Sequence, residues 1–393
     1  MSEWKTYKLG DIAELRKEQI VSNGVEQPYI GLEHIEQQSL RLNGVGSSDN
    51  VVSNKFKFHN GDTLYGRLRP YFRKVYNPKF EGVCSTEIFV IKNKKNVDKD
   101  FLYYLVATEE FTNIANSGSS GTHMPRADWK QLEKSEWNIP DLPTQTQIAQ
   151  ILTSLDEKIE LNLQMNQTLE AMAQAIFKEW FVDFKFPNYD GVLVDSLPKG
   201  WRIGSVLEIA TLLSGGTPKT DIEEYWNGTI NWISAKDITS SNNQFIIETE
   251  KTITELGIKK SAAKLLPKFT TIISARGTVG NYCILSKEMA ISQSNYGLKS
   301  NSDDDYFLFL MVENMILMMK AFSYGTVFDT ITTKTFQEME VTIPNEIIIK
   351  KFEKLITPLY EKILTNQFQI QSLIQTRDTL LPKLMNGKIE IKN

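Results

Sequence analysis

The sequence predicts an α+β chain in which two pseudo-symmetric α/β domains are separated by two long helices forming an antiparallel coiled coil. Three observations carry that prediction. First, the chain is written twice. Trp4 with Ile12-Ala13 returns as Trp201 with Ile209-Ala210, an offset of 197. Gly121-Thr122, Ile139-Pro140 and Glu157-Lys158-Ile159 return as Gly325-Thr326, Ile343-Pro344 and Glu361-Lys362-Ile363, an offset of 204. Second, each copy opens with short β-rich runs between turn residues, such as Ile88-Phe89-Val90-Ile91 and Thr271-Ile272-Ile273. Third, each copy closes on apolar residues every 3.5 positions, sustained over roughly four to five heptads.

The elements follow in order. A first mixed domain occupies residues 1–142 and a central helix 143–186; a linker and second mixed domain occupy 187–343, and a C-terminal helix 344–393. The central helix starts after Pro143, with Thr144 or Thr146 placed to cap its free N–H groups. Its seam reads Ile148, Leu152, Leu155, Ile159, Asn162, Asn166, Leu169, Ala173, Ile176 and Trp180. Pro187, Gly191, Pro198 and Gly200 mark the loop between copies. The second helix follows Pro344 with Asn345 in the capping place, and Pro382 ends or kinks it. Adding 204 to the first seam gives Phe352, Ile356, Leu359, Ile363, Asn366, Ile370, Leu373, Arg377, Leu380 and Leu384. Asn162, Asn166 and Asn366 in that seam fix register at the expense of stability. Arg377 stands where the first copy has Ala173, and either meets a partner or carries its charge out to solvent. Paired antiparallel, helices of roughly 35 residues make a spacer of about 50 Å.

Composition narrows the function. Of 393 residues, 44 are Lys or Arg and 48 Asp or Glu, a net charge of −4 with no overall basic character. The two cysteines, Cys84 and Cys283, cannot build a disulfide framework or a cysteine zinc site, which fits a reducing, cytoplasmic setting. The N-terminus lacks the apolar core of a signal peptide, and the most apolar stretch, 306–318, is too short to span a bilayer. No phosphate-binding or dinucleotide glycine motif is present, and His34, His59 and His123 lack metal-ligand spacing. Asn77-Pro78-Lys79-Phe80 misses the second proline of the element that grips amino groups in amino-methyltransferases. Asp141, Asp156 and Lys158 imitate a nuclease pattern, but the last two fall on the seamed helix and the second copy has Asn345 and Tyr360 at the carboxylate positions. The expectation is a protein without catalysis, metal or cofactor of its own.

Local charge says more than the total. Residues 55–79 hold seven basic side chains against Asp62 alone, interleaved with Tyr65, Tyr71, Phe72 and Tyr76. Residues 254–280 hold five, including Arg276, against Glu255. Such patches suit phosphate neutralisation, and arginine forks suit guanine edges. A small-polar loop at 116–123 followed by Arg126, with a counterpart at 323–326 followed by Lys334, offers hydroxyls and close backbone approach.

Particular phrases then converge on a family. Trp4-x4-Leu9-Gly10-Asp11-Ile12, Gly61-Asp62-x-Leu64-Tyr65-x-x-Leu68-Arg69-Pro70, Leu142-Pro143-x4-Ile148, Leu197-Pro198-x-Gly200-Trp201, Gly215-Gly216-Thr217-Pro218, Tyr225-Trp226-x-Gly228-x-Ile230 and Arg377-Asp378-x-Leu380-Leu381-Pro382 resemble specificity subunits of type I restriction–modification systems. Their order and doubling cover essentially the whole chain. The resemblance implies two target-recognition domains, each reading one half of a bipartite site in double-stranded DNA, with the helices as spacer. It also implies docking of two methyltransferase subunits, which bring S-adenosylmethionine, and of restriction subunits using ATP and magnesium. On that basis Arg67, Arg69, Tyr71, Lys74, Ser119, Thr122 and Arg126 are expected at one half-site, and Arg276, Thr278, Tyr324, Thr326 and Lys334 at the other. A chain of net charge −4 is expected to bind DNA weakly alone and to lean on its partners. The competing class is a coiled-coil scaffold without sequence-specific DNA contact, distinguished by the absence of salt-dependent duplex binding in the full complex.

Overall fold

The computed structural model describes residues 4–20, 26–50, 54–118, 124–240, 244–322 and 330–391. The chain divides into two compact units. One comprises residues 1–159 with 372–393, the other residues 160–371. Each unit therefore owns a stretch of both long helices.

In the first unit, strand Lys5–Lys8 pairs antiparallel with Glu136–Ile139, Lys5 opposite Ile139. A four-stranded antiparallel sheet runs in the order Ala13–Leu15, Ile88–Asn93, Thr63–Gly66, Val75–Tyr76. A five-stranded sheet contains Lys55–Phe58, Gly82–Ser85 and Pro28–Ile30, the last two parallel. Strand burial follows sequence: Ile88-Phe89-Val90-Ile91 is an unbroken apolar run and every member is buried, as expected of a strand covered on both faces. Helices Lys99–Val106 and Glu109–Ser117 cover the smaller sheet. Asp98 and Thr108 start them by accepting from the N–H groups of Phe101 and Phe111. Phe111 meets Tyr65 edge-on at 5.1 Å and stacks on Trp137 at 5.9 Å.

The second unit repeats this plan. Arg202–Ser205 pairs with Glu340–Ile343, Arg202 opposite Ile343. Those partners are Lys5 and Ile139 displaced by 197 and 204, the two offsets found in the sequence. Thr271–Ser274 lies between Asn295–Ser300 and Tyr282–Leu285 as Thr63–Gly66 lies between Ile88–Asn93 and Val75–Tyr76. Trp226–Ile233 runs parallel to Met289–Ile291, as Pro28–Ile30 does to Gly82–Ser85. One continuous helix, Asp305–Phe322, replaces the two of the first unit.

The long helices span Leu142–Phe177 and Glu346–Met385, the first closing in a π turn, Lys178–Val182. Two expectations change. The first helix is capped by Asp141, whose carboxylate accepts from Thr144 N–H at 3.1 Å, so neither Thr144 nor Thr146 is the cap. Its extra carboxylate charge also favours a helix N-terminus. Pro382 neither ends nor interrupts its helix, which runs on to Met385. Losing one N–H in the last turn releases only one carbonyl, and buried Leu381 and Leu384 hold that turn in place. Asn345 caps the second helix as expected, accepting from Ile347 N–H at 2.8 Å.

None of the twenty seam positions is exposed. In the second unit Asn162 donates to Gln369 at 3.3 Å and Asn366 to Asn166 at 2.8 Å. Four residues forward on one helix match three back on the other, so the pair is antiparallel. Arg377 does not reach solvent. It is 1% exposed, donates to Asp156 at 2.8 Å and Asp378 at 3.0 Å, and meets the Ser39 carbonyl at 3.4 Å. Tyr104 donates to the other Asp156 oxygen at 2.6 Å.

Three carboxylates seat the second unit on its helices. Glu353 accepts from the N–H groups of Tyr306 and Phe307 at 3.1 and 2.8 Å, capping helix Asp305–Phe322 from another element. Glu313 accepts from Tyr282 at 2.7 Å and from Gln174 at 3.0 Å. Burial pushes the carboxyls of Glu170 and Glu353 up to about 7.

Two predictions follow from this packing. Arg377→Ala leaves Asp156 without its counter-charge and a hole in the seam, and should destabilise the chain by about 3–5 kcal/mol, read as a lowered denaturant midpoint. For Glu170 and Glu353, the folded state retains protons that the unfolded chain has already lost. Their contribution is therefore fully present below the ordinary glutamate range and is lost as pH rises towards 7. Melting temperature should fall between pH 5 and 7.5 and then flatten, and the double variant Glu170→Gln/Glu353→Gln should show a shallower slope.

Candidate nucleic-acid interface

In the first unit the chain leaves strand Thr63–Gly66, runs through 67–74 and returns as Val75–Tyr76. Segment 124–127 is laid against that loop: Leu68 bridges Arg126, Arg69 N–H donates to the Pro125 carbonyl at 2.8 Å, and Ala127 N–H to the Arg67 carbonyl at 2.9 Å. The fold thus brings Arg126 beside the expected residues of loop 67–74, more than fifty positions earlier in sequence.

Their side chains are not equally available. Arg126 forms a fork on Glu87, Nε to Oε2 and Nη2 to Oε1 both at 3.1 Å, and that hydrogen-bonded carboxylate raises its pKa. The Arg67 guanidinium lies over the Phe89 ring at 5.2 Å, a cation–π placement. Lys74 turns inward and donates to the Leu32 carbonyl at 2.5 Å, and burial lowers its pKa. Tyr71 is 45% exposed. It sits on a single 3-10 turn, Pro70–Phe72, flanked by Arg69 and Arg73, both left-handed with φ of 52° and 43°. Such a backbone costs a non-glycine residue roughly 1–2 kcal/mol, and outliers of this kind cluster at functional sites.

The second unit builds the same connection. After strand Thr271–Ser274, Ile331 N–H donates to the Ala275 carbonyl at 3.0 Å, the counterpart of Ala127 to Arg67. Arg276 and Thr278 are exposed in the following turn. The Thr278 hydroxyl is 2.5 Å from that of Thr239, and its carbonyl accepts from Ser274. Gly277 and Gly280 hold φ of 81° and 80° where the first unit has Arg69 and Arg73. Lys334 is exposed on helix Thr333–Glu338 and pairs with Glu338 at 3.2 Å. Ser119, Thr122, Tyr324 and Thr326 lie outside the described residues.

Sequence reasoning missed the left-handed arginines and Glu87. Glycine spacing in the second copy, Gly277 and Gly280, was the available signal for the former. Nothing local marks Glu87 as a partner of Arg126. Among the described residues no group of three or more His, Cys, Asp or Glu side chains could hold a metal ion. The residues of the nuclease-like pattern have other work: Asp141 caps a helix and Asp156 binds Arg377 and Tyr104.

Known proteins show the same doubling. The family model for the type I restriction modification DNA specificity domain matches residues 1–171 and again 198–375. The HindI specificity subunit of Haemophilus influenzae is 30% identical, covering 99% of this chain and 100% of its own. The MjaIX specificity subunit of Methanocaldococcus jannaschii is 27% identical over 76% of this chain and 71% of its own. The fold is that of the crystal structure of a type I restriction–modification S subunit from M. genitalium, with a TM-score of 0.63, 15% identity and coverage of 100% of this chain and 97% of that one. With one family model matched twice, in the same order as the duplicated strands, loops and helices, the chain belongs to the type I restriction–modification DNA specificity family.

Proposed function

We propose that the chain reads a bipartite duplex target, the first unit through loop 67–74 with Arg126 and the second through Arg276, Thr278 and Lys334. The observation that carries this reading is the recurrence of one loop, on one strand junction, tied by one backbone hydrogen bond, with arginine beside it in both copies. Arginine forks can pair with guanine O6 and N7, while lysines and hydroxyls hold phosphates and register. In this reading the chain is non-catalytic and takes no cofactor. Two methyltransferase subunits bring S-adenosylmethionine, and restriction subunits bring ATP and magnesium. The net charge of −4 leaves much of the phosphate neutralisation to those partners, so the lone chain binds weakly. In this reading the chain works on DNA in the cytoplasm; no helix among the described residues is long and apolar enough to cross a membrane. The helix pair is the spacer and the docking element, with Asn162, Asn166 and Asn366 holding its register.

Two experiments test the reading. Arg69→Gly removes a charge while relieving the left-handed backbone. Methylation-site sequencing of cells carrying the complex should show the first half-site relaxed, by about 1–3 kcal/mol of discrimination, with the second unchanged. Lys334→Ala should instead weaken all sites alike. Unaltered motifs and affinities in both variants would remove these residues from the interface. Inserting one heptad into each helix adds about 10 Å, or roughly three base pairs, to the gap. The half-sites should persist with wider spacing; an unchanged gap refutes the spacer.

A further inference from the structure

The two copies differ at the tip of the loop they share. In the second unit the turn between Gly277 and Gly280 carries Thr278 and Val279. In the first, the turn between Arg69 and Arg73 carries Tyr71 and Phe72, with ring centroids 4.7 Å apart and planes at 65°. Phe72 is half-buried beneath and Tyr71 stands out at 45% exposure. The tip is held rigid at both ends. Phe72 N–H donates to the Arg69 carbonyl at 3.0 Å and Arg73 N–H to Pro70 at 2.8 Å. Outside the turn, Arg69 N–H donates to Pro125 at 2.8 Å and Gln38 N–H to the Arg73 carbonyl at 3.4 Å.

A lone exposed tyrosine on a surface needs no explanation. This one sits on a second ring, on a turn kept in a left-handed conformation at two arginines, with Arg67, Lys74 and Arg126 on the same loop and the segment laid against it. A glycine at either flank would form the turn without strain, as in the second unit. The arginines add charge to the tip, and the phenol adds a flat apolar face at its summit. Every base has a π-face, and apolar side chains held against a duplex enter base steps and partly unstack them.

We propose that Tyr71, seated on Phe72, is a stacking wedge that enters the duplex at the half-site read by the first unit, and that the equivalent turn of the second unit, between Gly277 and Gly280, supplies none. The proposal rests on the DNA reading above. The wedge distorts one half-site only, so the two halves of the target differ in deformability as well as in sequence. Steps that unstack readily are favoured where Tyr71 enters.

The test uses the chain assembled with its methyltransferase subunits and duplexes carrying 2-aminopurine at successive positions of each half-site, away from the bases that the complex methylates. The wild-type complex should raise fluorescence at one step of the first half-site. Tyr71→Ala should abolish that rise and weaken binding about tenfold, the scale of one lost stack. Tyr71→Phe, which keeps the ring, should retain both. Signals at the second half-site should be indifferent to either change. Site-specific binding with no fluorescence rise, or with a rise that persists in Tyr71→Ala, overturns the wedge while leaving DNA recognition intact. So does Tyr71→Ala weakening every duplex alike with fluorescence unchanged, which marks a phosphate contact. A wild-type complex with no site-specific binding overturns the recognition reading and the wedge with it.

Discussion

The structure depends on the apolar seam of two antiparallel helices, because each recognition unit uses that seam as one wall of its own core. In the first unit Ile148, Ala149 and Leu152 of one helix and Leu381 and Leu384 of the other join Phe101, Leu105 and Phe111. In the second, Ala173 and Phe177 with Phe352, Ile356 and Tyr360 join Phe307 and Phe309. Each fully buried side chain of this size contributes roughly 1.5–3 kcal/mol. A slip of either helix within one core would expose apolar residues of that core to water.

Against that background the polar members of the seam are exceptions with a function. A buried asparagine pair nets about 0.5–1.5 kcal/mol, less than a leucine pair in its place, so Asn166 and Asn366 lower stability. They restrict register, because a slip of one turn would leave buried amides without partners. Arg377 is the costlier exception. A buried guanidinium is tolerable only with its charge met: Asp156 and Asp378 supply the counter-charge, Nε and Nη1 donate to Asp378, Asp156 and the Ser39 carbonyl, and Nη2 is left with its ion pair to Asp378 at 2.9 Å. Ala173 stands in the equivalent place of the first copy, so the two helices are alike in pattern and unlike in chemistry.

The loops show the same division between shared frame and private detail. Backbone pairing sets the frame: the strand registers coincide under offsets of 197 and 204, and the loop junctions are tied by equivalent hydrogen bonds. Side chains and backbone strain carry the differences. One unit builds its turn on glycines and the other on arginines held in a conformation they resist. One pairs its arginine with Glu87, while the other leaves Arg276 exposed. Two readers on one frame are free to diverge in what they read.

The sequence by itself determined the duplication, the two helices, their seam and the family, because those follow from repeated phrases and from a period that any window of the helix displays. It also placed basic residues in both halves, since charge is read directly from letters. Tertiary structure alone decided which of those charges are buried or paired. Lys74 turns in to the Leu32 carbonyl, Arg126 is clasped by Glu87, and Arg377 lies buried on Asp156 rather than at the surface. Those partners lie 39 to 221 positions away in sequence, and no local pattern encodes a contact that only folding creates. Helix ends divided the same way. Asn345 was legible as a cap, whereas Asp141 won over the nearby threonines and Pro382 was carried through because neighbouring packing outweighed local propensity.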